Sequence, residues 1–207
     1  MILPGFHLLM NEMEQQIQAA AEKLFLHYGF RKTSVDQIAR EAGIGKGTIY
    51  NYFRNKEELF GSCSRHWRNL IDEYLHKHCD QSLEQPERWI QKVELRLQFI
   101  RKLIGPSLVT ESVMKELVEA TFLLSDHEEK FLEETLLLVE EGQQTGSVRP
   151  ELNKLETAKI LLQMERLWIP RWLSLADWEM VCAEVEQLHE LLWYGLHLPE
   201  QPPAADH

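Results

Sequence analysis

The chain is poor in cysteine, and its three copies, Cys63, Cys79 and Cys182, follow no repeated spacing. A disulfide framework is therefore not predicted, which is consistent with a reducing cytoplasm. The sequence also lacks any run of about 18 uninterrupted apolar residues, so no transmembrane helix is predicted. Residues 1–11 are apolar but contain neither a basic start nor a small-residue cleavage site, and a secretory signal is not expected there.

Motifs of the common enzyme classes are missing as well. The sequence contains no Gly-rich phosphate loop, no GxSxG and no HExxH. Acidic pairs such as Glu128-Glu129 and Glu133-Glu134 are interpreted as the solvated face of a helix. The alternating pattern typical of β-strands is also absent. We therefore predict an all-α protein of about nine helices that is not an enzyme and carries no cofactor.

A helix-turn-helix pattern spans residues 33–60. Thr33 and Ser34 are hydroxyl residues of the kind that cap a helix N-terminus. Gly43 stands where a left-handed residue would end the first helix, and Gly45 can act as a modest N-cap for the next. Between these signals, apolar residues repeat at the spacing of one helix face, at Val35, Ile38, Ala39 and Ala42. The segment predicts two short helices joined by a tight turn.

The second of these helices has two different faces. Ile49 and Phe53 are predicted to pack against the first helix. The other face combines cationic, hydroxyl, amide and aromatic groups, from Lys46, Gly47, Thr48, Tyr50, Asn51 and Tyr52. Such a helix fits the major groove of DNA, where these side-chain types bond phosphates and base edges. An ordinary helical hairpin with a solvated polar face would have the same spacing.

Charge is divided unevenly along the chain. Residues 23–56 have seven Lys and Arg against two acids, a local charge of +5, whereas residues 61–207 carry 15 basic and 26 acidic residues. The whole chain has a net charge of −11. A basic end beside an acidic remainder is expected of a protein that meets phosphates with one surface only. A helical adaptor that binds an acidic protein partner is the alternative use of this surface.

This segment resembles the DNA-binding region of the TetR/AcrR family of bacterial transcriptional regulators. The resemblance rests on Gly47-Thr48, on Tyr50-Asn51-Tyr52-Phe53, and on Asn55-Lys56-Glu57 with Leu59. Residues 20–35 also resemble the family's first helix and its link to the second. Gly45 departs from the family pattern, in which serine is commoner. The resemblance implies an all-α fold with an N-terminal helix-turn-helix domain and a larger effector-binding domain.

The resemblance also implies roles for individual residues. Thr33, Tyr52 and Lys56 match positions that contact phosphate oxygens. Five residues match positions that approach base edges or nearby backbone, namely Lys46, Gly47, Thr48, Tyr50 and Asn51. The implied partners are double-stranded DNA with a palindromic operator, a second copy of the chain, and a small-molecule effector.

The chain divides into three predicted regions: a helix-turn-helix domain over 1–55 that includes a loose extension at 1–10, a helical effector-binding and dimerisation domain over 56–198, and a disordered tail over 199–207. A first helix is expected over 11–28, and a long helix is expected from Lys56 to about Cys79. Turn signals place the remaining helices near 86–104, 107–124, 126–143, 153–169 and 177–195.

The last two long helices resemble the family's dimerisation helices, which pair with their copies in a partner chain. An apolar stripe along the final helix agrees with this pairing, at Val185, Leu188, Leu191, Leu192 and Leu196. Burial of the stripe within one chain is the alternative. A homodimer is favoured because a two-fold reader must place its recognition helices about one DNA turn apart, roughly 34–36 Å.

The middle helices are predicted to enclose an effector cavity. Their leucine-rich and aromatic composition favours a hydrophobic or amphipathic small molecule. The candidate lining residues are Phe99, Met114, Phe122, Met164, Trp168 and Trp172. Glu165, Arg166 and Arg171 are candidate polar anchors beside them.

A metal-responsive regulator is the alternative to this effector. Asp72, His76 and Cys79 recur at i, i+4 and i+7 on one helix face, where they could bind Zn²⁺ or Ni²⁺ with help from another helix. A solvated helix end with a half-buried cysteine is the simpler interpretation of the same residues.

The sequence therefore predicts a DNA-binding repressor that a small hydrophobic or amphipathic molecule releases from its operator.

Overall fold

The computed structural model describes residues 12–83, 87–104, 110–124, 127–174 and 177–196. Within these ranges there are nine α-helices and no strand, which confirms the predicted all-α class. Their bounds are α1 (Glu12–Tyr28), α2 (Val35–Glu41), α3 (Lys46–Tyr52), α4 (Lys56–His78), α5 (Glu87–Ile104), α6 (Glu111–Leu124), α7 (His127–Thr145), α8 (Lys154–Ser174) and α9 (Trp178–Leu196). The extension predicted at 1–10 and the tail predicted at 199–207 lie outside the described residues.

The start of α2 is fixed by a capping box. The Ser34 side chain accepts a hydrogen bond from the Gln37 backbone N–H, and the Gln37 side chain accepts one from the Ser34 backbone N–H at 2.8 Å. Thr33, predicted as a second cap, lies inside the fold instead. Its hydroxyl donates to the carbonyls of Gly29 at 2.7 Å and Leu24 at 3.2 Å, so it bonds the C-terminal end of α1.

The turn between α2 and α3 has the geometry that the glycines predict. Gly43 has a φ of +68°, a conformation that costs a side-chain-bearing residue energy. Gly45 is the N-cap of α3 and supplies no side-chain bond. Ile49 and Phe53 are 1% and 4% exposed, so the inward face of α3 is as predicted. The first three helices thus form a small packed head.

Helix α4 joins this head to the remaining helices. It begins after Asn55, whose side chain accepts a hydrogen bond from the Glu58 backbone N–H at 2.7 Å. Its first turns bury Leu59 and Phe60 against α1, and Phe60 meets Phe25 edge-on at a centroid distance of 5.2 Å. Further along, α4 packs on α5 and α6. One continuous helix of 23 residues therefore links the head to the larger domain, as predicted.

The crossing of α4 and α6 depends on a glycine. A Cβ atom built on Gly61 would lie 2.9 Å from the backbone carbonyl oxygen of Leu124, closer than a carbon atom tolerates. Gly61 is buried, and its missing side chain lets the two helix backbones approach at this point. The approach lies only one helical turn and a half beyond the start of α4.

Helix α8 departs from its predicted bounds. The sequence predicts an end at Ile169, because the next residue is proline, but α8 continues through Pro170 to Ser174. Proline removes one backbone donor and is unfavourable inside a helix. Pro170 is buried, and Leu173 in the last turn is 5% exposed. Packing of this last turn against the core therefore outweighs the local preference of proline to end a helix.

The apolar stripe predicted on α9 divides between two environments. Val185 is fully buried within the chain, so its assignment to a dimer interface is wrong. Leu191 is 67% exposed, and it has exposed apolar counterparts on α8 in Ile160 at 61% and Leu167 at 71%. The side chains of Leu192 and Leu196 lie outside the described part.

Among the described helices, none is long and apolar enough to cross a bilayer.

Candidate functional site

The outer face of α3 presents the residues that the sequence predicts for DNA contact. Lys46, Gly47, Tyr50 and Asn51 are exposed, and Tyr50 is 47% exposed. Thr48 and Tyr52, which complete the predicted face, are half-buried. A Cβ atom built on Gly47 would meet nothing within 4 Å. Packing within the chain therefore does not demand glycine there, and the small residue leaves open space beside the helix.

Ion pairs neutralise part of the positive charge of the head. Lys46 Nζ lies 2.7 Å from Asp36 Oδ2, and this bond raises the pKa of Lys46 and lowers the pKa of Asp36. Lys23 pairs with Glu41 in the same way. Both acids between residues 23 and 56 are thus bonded to lysines of the same segment. The basic residues of the head that are exposed beside these pairs are Arg31, Lys32, Arg40 and Arg54.

Two of the predicted phosphate-binding side chains make internal bonds. The Lys56 ammonium donates to the carbonyls of Phe30 at 2.8 Å and Thr33 at 3.0 Å, and it lies 4.2 Å from the centroid of the Phe30 ring. The Thr33 side chain is buried, as described above. These contacts tie the start of α4 to the turn after α1. Because both side chains are bonded internally, phosphate contacts at Thr33 and Lys56 are favoured through the main chain rather than the side chain. The phosphate-binding roles of these two residues stay predictions.

A cavity of about 130 Å³ lies mainly between α4, α5, α6 and α8, with one residue each from α1 and α7 on its wall. Its wall is mostly apolar, and it includes Ile100, Met114, Leu117 and Ile169. The wall also carries polar groups, from Ser64, Trp67, Arg68 and Asp72 on α4, Arg96 on α5 and Thr121 on α6. Ser64, Arg68 and Asp72 follow one another at a spacing of four, so they share one face of α4.

Charged groups cluster on this wall. Arg68 is only 5% exposed, although it carries a full charge. Asp72 keeps part of its surface exposed, yet desolvation and the negative charge of Glu134 raise the pKa of its carboxyl. Arg96 and Arg68 act in the opposite direction and lower the pKa of Asp72. Asp72 is therefore close enough to both arginines to interact with them electrostatically.

Aromatic rings and guanidinium groups stack beside this cluster. The rings of Phe122 and Phe131 lie 6.0 Å apart in a tilted arrangement. The Arg96 guanidinium lies 4.8 Å from the centre of the Phe131 ring, and the Arg166 guanidinium lies 4.9 Å from the centre of the Phe122 ring. Phe122, Phe131 and Arg96 belong to the cavity wall. One side of the cavity is thus built from flat groups.

The head and the cavity are physically connected. Helix α4 begins at Lys56 in the head and supplies the cavity wall from Ser64 onward. On α6, the Glu116 carboxylate accepts a hydrogen bond from the backbone N–H of Arg31 in the turn after α1. The neighbouring wall residues Met114 and Leu117 are on the same helix. A displacement of α4 or α6 at the cavity would therefore reach the head.

A buried carboxyl lies near the same junction. Burial raises the pKa of Glu22 to about 7, although Gln18 Nε2 donates a hydrogen bond to Glu22 Oε1 at 2.9 Å. The fully buried thiol of Cys63 on α4 lies close enough for the charge of Glu22 to raise its pKa further, in addition to the effect of burial. Cys63 is thus not a reactive thiolate.

Comparison with known proteins identifies the head. The family model described as "Bacterial regulatory proteins, tetR family" matches residues 17–63, which span α1, α2, α3 and the first turns of α4. The head is therefore a DNA-binding domain of the TetR type, and α3 is the second helix of its helix-turn-helix. The protein is a DNA-binding transcriptional regulator. This regulator is 28% identical over 166 residues to YhgD of Bacillus subtilis, an uncharacterized HTH-type transcriptional regulator, with 78% of this chain and 84% of that protein covered.

Solved structures of TetR-family proteins share the fold over most of this regulator. A putative TetR-family regulator from Syntrophomonas wolfei has a TM-score of 0.68 at 21% identity, covering 92% of this chain and 98% of that one. FadR from Bacillus subtilis, solved in complex with stearoyl-CoA, has a TM-score of 0.63 at 21% identity, covering 88% of this chain and 99% of that one. The arrangement of the helices beyond the head is therefore the one seen in these two structures.

The structure separates the predicted effector residues. Met114 and Phe122 are on the cavity wall, and Met114 is 4% exposed. Phe99 stacks on Tyr74 at a centroid distance of 4.9 Å, and Trp168 packs on the core, so both lie away from the wall. Met164 is also outside the wall, and the side chain of Trp172 lies outside the described part.

The described candidate polar anchors of the effector, Arg166 and Arg171, do not line this cavity. Arg166 stacks on a wall residue without lining the cavity, and Arg171 Nη2 pairs with Glu184 Oε1 at 2.9 Å on the surface. The side chain of Glu165 lies outside the described part. Sequence analysis missed Ser64, Arg68 and Arg96. The regular spacing of Ser64, Arg68 and Asp72 was the signal that could have indicated a polar face turned inward.

The metal alternative finds no support among the described residues. Asp72 lines the cavity and His76 is exposed to solvent. Cys79 is 7% exposed at the C-terminal end of α4. Across the described ranges, no group of three or more His, Cys, Asp or Glu side chains is arranged to hold a metal ion.

Proposed function

We propose that this regulator is a repressor that binds a palindromic operator as a homodimer. A small hydrophobic or amphipathic molecule enters the central cavity and releases the operator. The observation that supports this proposal is that α4 begins at the DNA-facing head and also forms one wall of the cavity. Because its target is chromosomal DNA, we place the protein in the cytoplasm.

The proposed release is a shift between two states. In one state the two heads of the dimer match successive major grooves, and in the other they do not. An effector that binds the second state more tightly moves the population toward it. Contacts of α4 with α1 and the bond from Arg31 to Glu116 on α6 are the two routes by which the cavity can move the head.

Exposed apolar side chains support a dimer through α8 and α9. Ile160 and Leu167 are seven residues apart, so they lie on the same side of α8, and Leu191 is exposed on α9. Side chains of this size exposed to this degree are costly in a monomer when they form a continuous patch. The proposed interface therefore uses Leu191 from the predicted stripe and residues of α8 that the stripe did not include.

An amphipathic effector is also consistent with a structural relative. FadR from Bacillus subtilis holds stearoyl-CoA, a thioester with a long aliphatic chain and an anionic head. In the present chain the cavity likewise combines a largely apolar wall with a few charged groups. Pockets of this composition bind the body of a ligand by burial and orient it through the polar groups.

The DNA-binding part of the proposal is tested by selecting bound fragments from a random duplex library and measuring affinity for the recovered site. Tyr50→Ala should abolish specific binding, because it removes an exposed aromatic from the centre of the α3 face. Tyr28→Ala is a matched control, since Tyr28 is 45% exposed against 47% for Tyr50 but lies at the end of α1. Equal affinity of the Tyr50→Ala variant and the wild type would remove α3 from the interface.

Salt dependence separates DNA binding from an adaptor function. Specific DNA binding should weaken steeply with salt, because each phosphate contact releases a counterion. It should also recover a two-fold symmetric site whose halves are about one helical turn apart. Recovery of no preferred sequence, with binding to acidic proteins instead, would favour the adaptor.

A further inference from the structure

An acidic side chain lies beside the outer face of α3. Asp36, in the first turn of α2, is exposed, and its Oδ2 atom lies 2.7 Å from Nζ of Lys46, the first residue of α3. Lys46 and Tyr50 are four residues apart and both exposed, so they belong to the same face of α3. Asp36 therefore lies next to the residues assigned to DNA contact, although DNA itself is negatively charged.

The stability of the head does not account for this acid. The side chain of Lys46 is 47% exposed and that of Asp36 is 52% exposed, so water competes for the bond between them. Exposed pairs of this kind contribute little to the free energy of folding. The carboxylate also weakens binding to DNA in general, because phosphates repel it and because it holds an ammonium that would otherwise pair with a phosphate.

The pair matches the major-groove edge of one base pair. A G·C pair presents two acceptors, guanine N7 and O6, next to one donor, the cytosine N4 amino group. Guanine O6 and cytosine N4 are hydrogen-bonded to each other, so they lie about 3 Å apart. This separation is close to the 2.7 Å between Lys46 Nζ and Asp36 Oδ2. An ammonium that faces the two guanine acceptors therefore brings the carboxylate to the cytosine donor.

Other partners satisfy the two charges less well. An A·T pair presents an acceptor, a donor and a second acceptor in that order. An ammonium at adenine N7 has one acceptor instead of two, and the carboxylate beside it faces thymine O4 as well as the adenine amino group. A phosphate bonds Lys46 but leaves Asp36 unpaired next to the DNA. A penalty of this kind on the wrong partner increases specificity.

We infer that Asp36 is a specificity-determining residue of this regulator and that, together with Lys46, it selects a G·C pair in each half of the operator. Lys46 donates to guanine and Asp36 accepts from cytosine, so neither charge is left unpaired on the correct site. The inference rests on the proposed contact of the α3 face with DNA. It adds a residue of α2 to the surface that reads the bases.

The first test is selection of bound sites from a random duplex library by the wild type, Asp36→Ala and Lys46→Ala. The wild type should recover a G·C pair at one position of each half-site, and both variants should weaken the preference at that position and at no other. A purely structural role of Asp36 would instead weaken the preference at every position together. Identical preferences of Asp36→Ala and the wild type, or weakening at different positions in the two variants, would overturn the inference.

Glu41→Ala is the matched control. Glu41 is also an exposed acid of α2, and it pairs with Lys23 in the same head, so this variant likewise removes one negative charge and frees one lysine. Its selected site should equal that of the wild type. The same weakening in Glu41→Ala and Asp36→Ala would assign the effect to net charge and would contradict base reading by Asp36.

A measurement on two operators gives the size of the contact. Replacing the selected G·C pair by A·T should lower wild-type affinity at least about tenfold. The ratio between the two operators should be at least about threefold smaller in Asp36→Ala, because one of the two bonds to the base pair is then absent. An equal ratio in Asp36→Ala and the wild type would show that the carboxylate does not read the base pair.

The same data separate this inference from the function on which it rests. If the wild type selects a specific site that Tyr50→Ala loses, while Asp36→Ala discriminates like the wild type, the inference fails and the proposed function stands. If the wild type selects no site, the proposed operator binding fails and the inference fails with it.

Discussion

Replacing Gly61 by alanine should weaken the contact between α4 and α6. The added Cβ would lie 2.9 Å from the Leu124 carbonyl oxygen, which is a backbone atom and cannot rotate away. The two helices must therefore separate by a few tenths of an ångström at this crossing. The separation should disturb the junction through which the cavity and the head are connected.

The net effect combines two opposing terms. Alanine is more favourable than glycine inside a helix by about 0.5–1 kcal/mol, which stabilises the variant. Overpacking of a close contact costs about 1–3 kcal/mol. The sum is a destabilisation of about 1 kcal/mol, which lowers the melting temperature of a domain of this size by about 2–4 °C.

Thermal denaturation followed by circular dichroism measures this effect, with Gly47→Ala as the matched control. Gly47 is also a helical glycine, but a Cβ atom there meets nothing within 4 Å, so only the favourable helix term remains. The melting temperature should fall in Gly61→Ala and hold or rise in Gly47→Ala. A rise in both variants would refute the close approach of α4 to α6.

Three further predictions concern the junction and the head. Glu116→Ala should accelerate hydrogen exchange of the Arg31 amide at least about tenfold by NMR, because it removes the acceptor of that N–H; an unchanged rate would show that this bond does not protect the turn. Burial raises the pKa of Glu22 from 4.5 to about 7, so the folded state retains a proton that the unfolded state loses. Stability should therefore fall between pH 4.5 and about 7. Glu22→Gln should remove this pH dependence, which amounts to on the order of 3 kcal/mol at pH 8; parallel pH profiles of the variant and the wild type would refute the assignment. Asp36→Asn should strengthen non-specific DNA binding and steepen its salt dependence by about one counterion, because it frees the ammonium of Lys46; an unchanged slope in a fluorescence anisotropy titration would count against that.

The head could be predicted because its signals are local. Ser34 caps α2 through bonds to a residue three positions away, and Gly43 adopts its positive φ within a single turn. The inward direction of Ile49 follows from the helical period alone. Each of these local features depends on residues within one or two helical turns, so the local sequence is enough to predict it.

The cavity could be predicted only in outline, because its wall comes from residues distant in sequence. Met114 and Phe99 are both apolar residues on amphipathic helices, yet only Met114 faces the cavity, while Phe99 stacks on Tyr74. The rotation of each helix about its axis decides between these outcomes, and the packing of the neighbouring helices sets that rotation. The prediction from composition selected aromatic and sulfur-containing side chains, and it therefore omitted Arg68 and Arg96.

By itself, the sequence determined the helical class, the helix-turn-helix and the basic surface that it presents to DNA. These features depend on periodicity, capping and net charge, which are properties of short segments. Only the tertiary structure decided which polar groups turn inward. It buried the hydroxyl of Thr33, bonded the ammonium of Lys56 to two carbonyls, and placed Arg68 inside the larger domain. A polar side chain replaces its water contacts with protein contacts only where several helices pack together, and no single segment of the sequence specifies that packing.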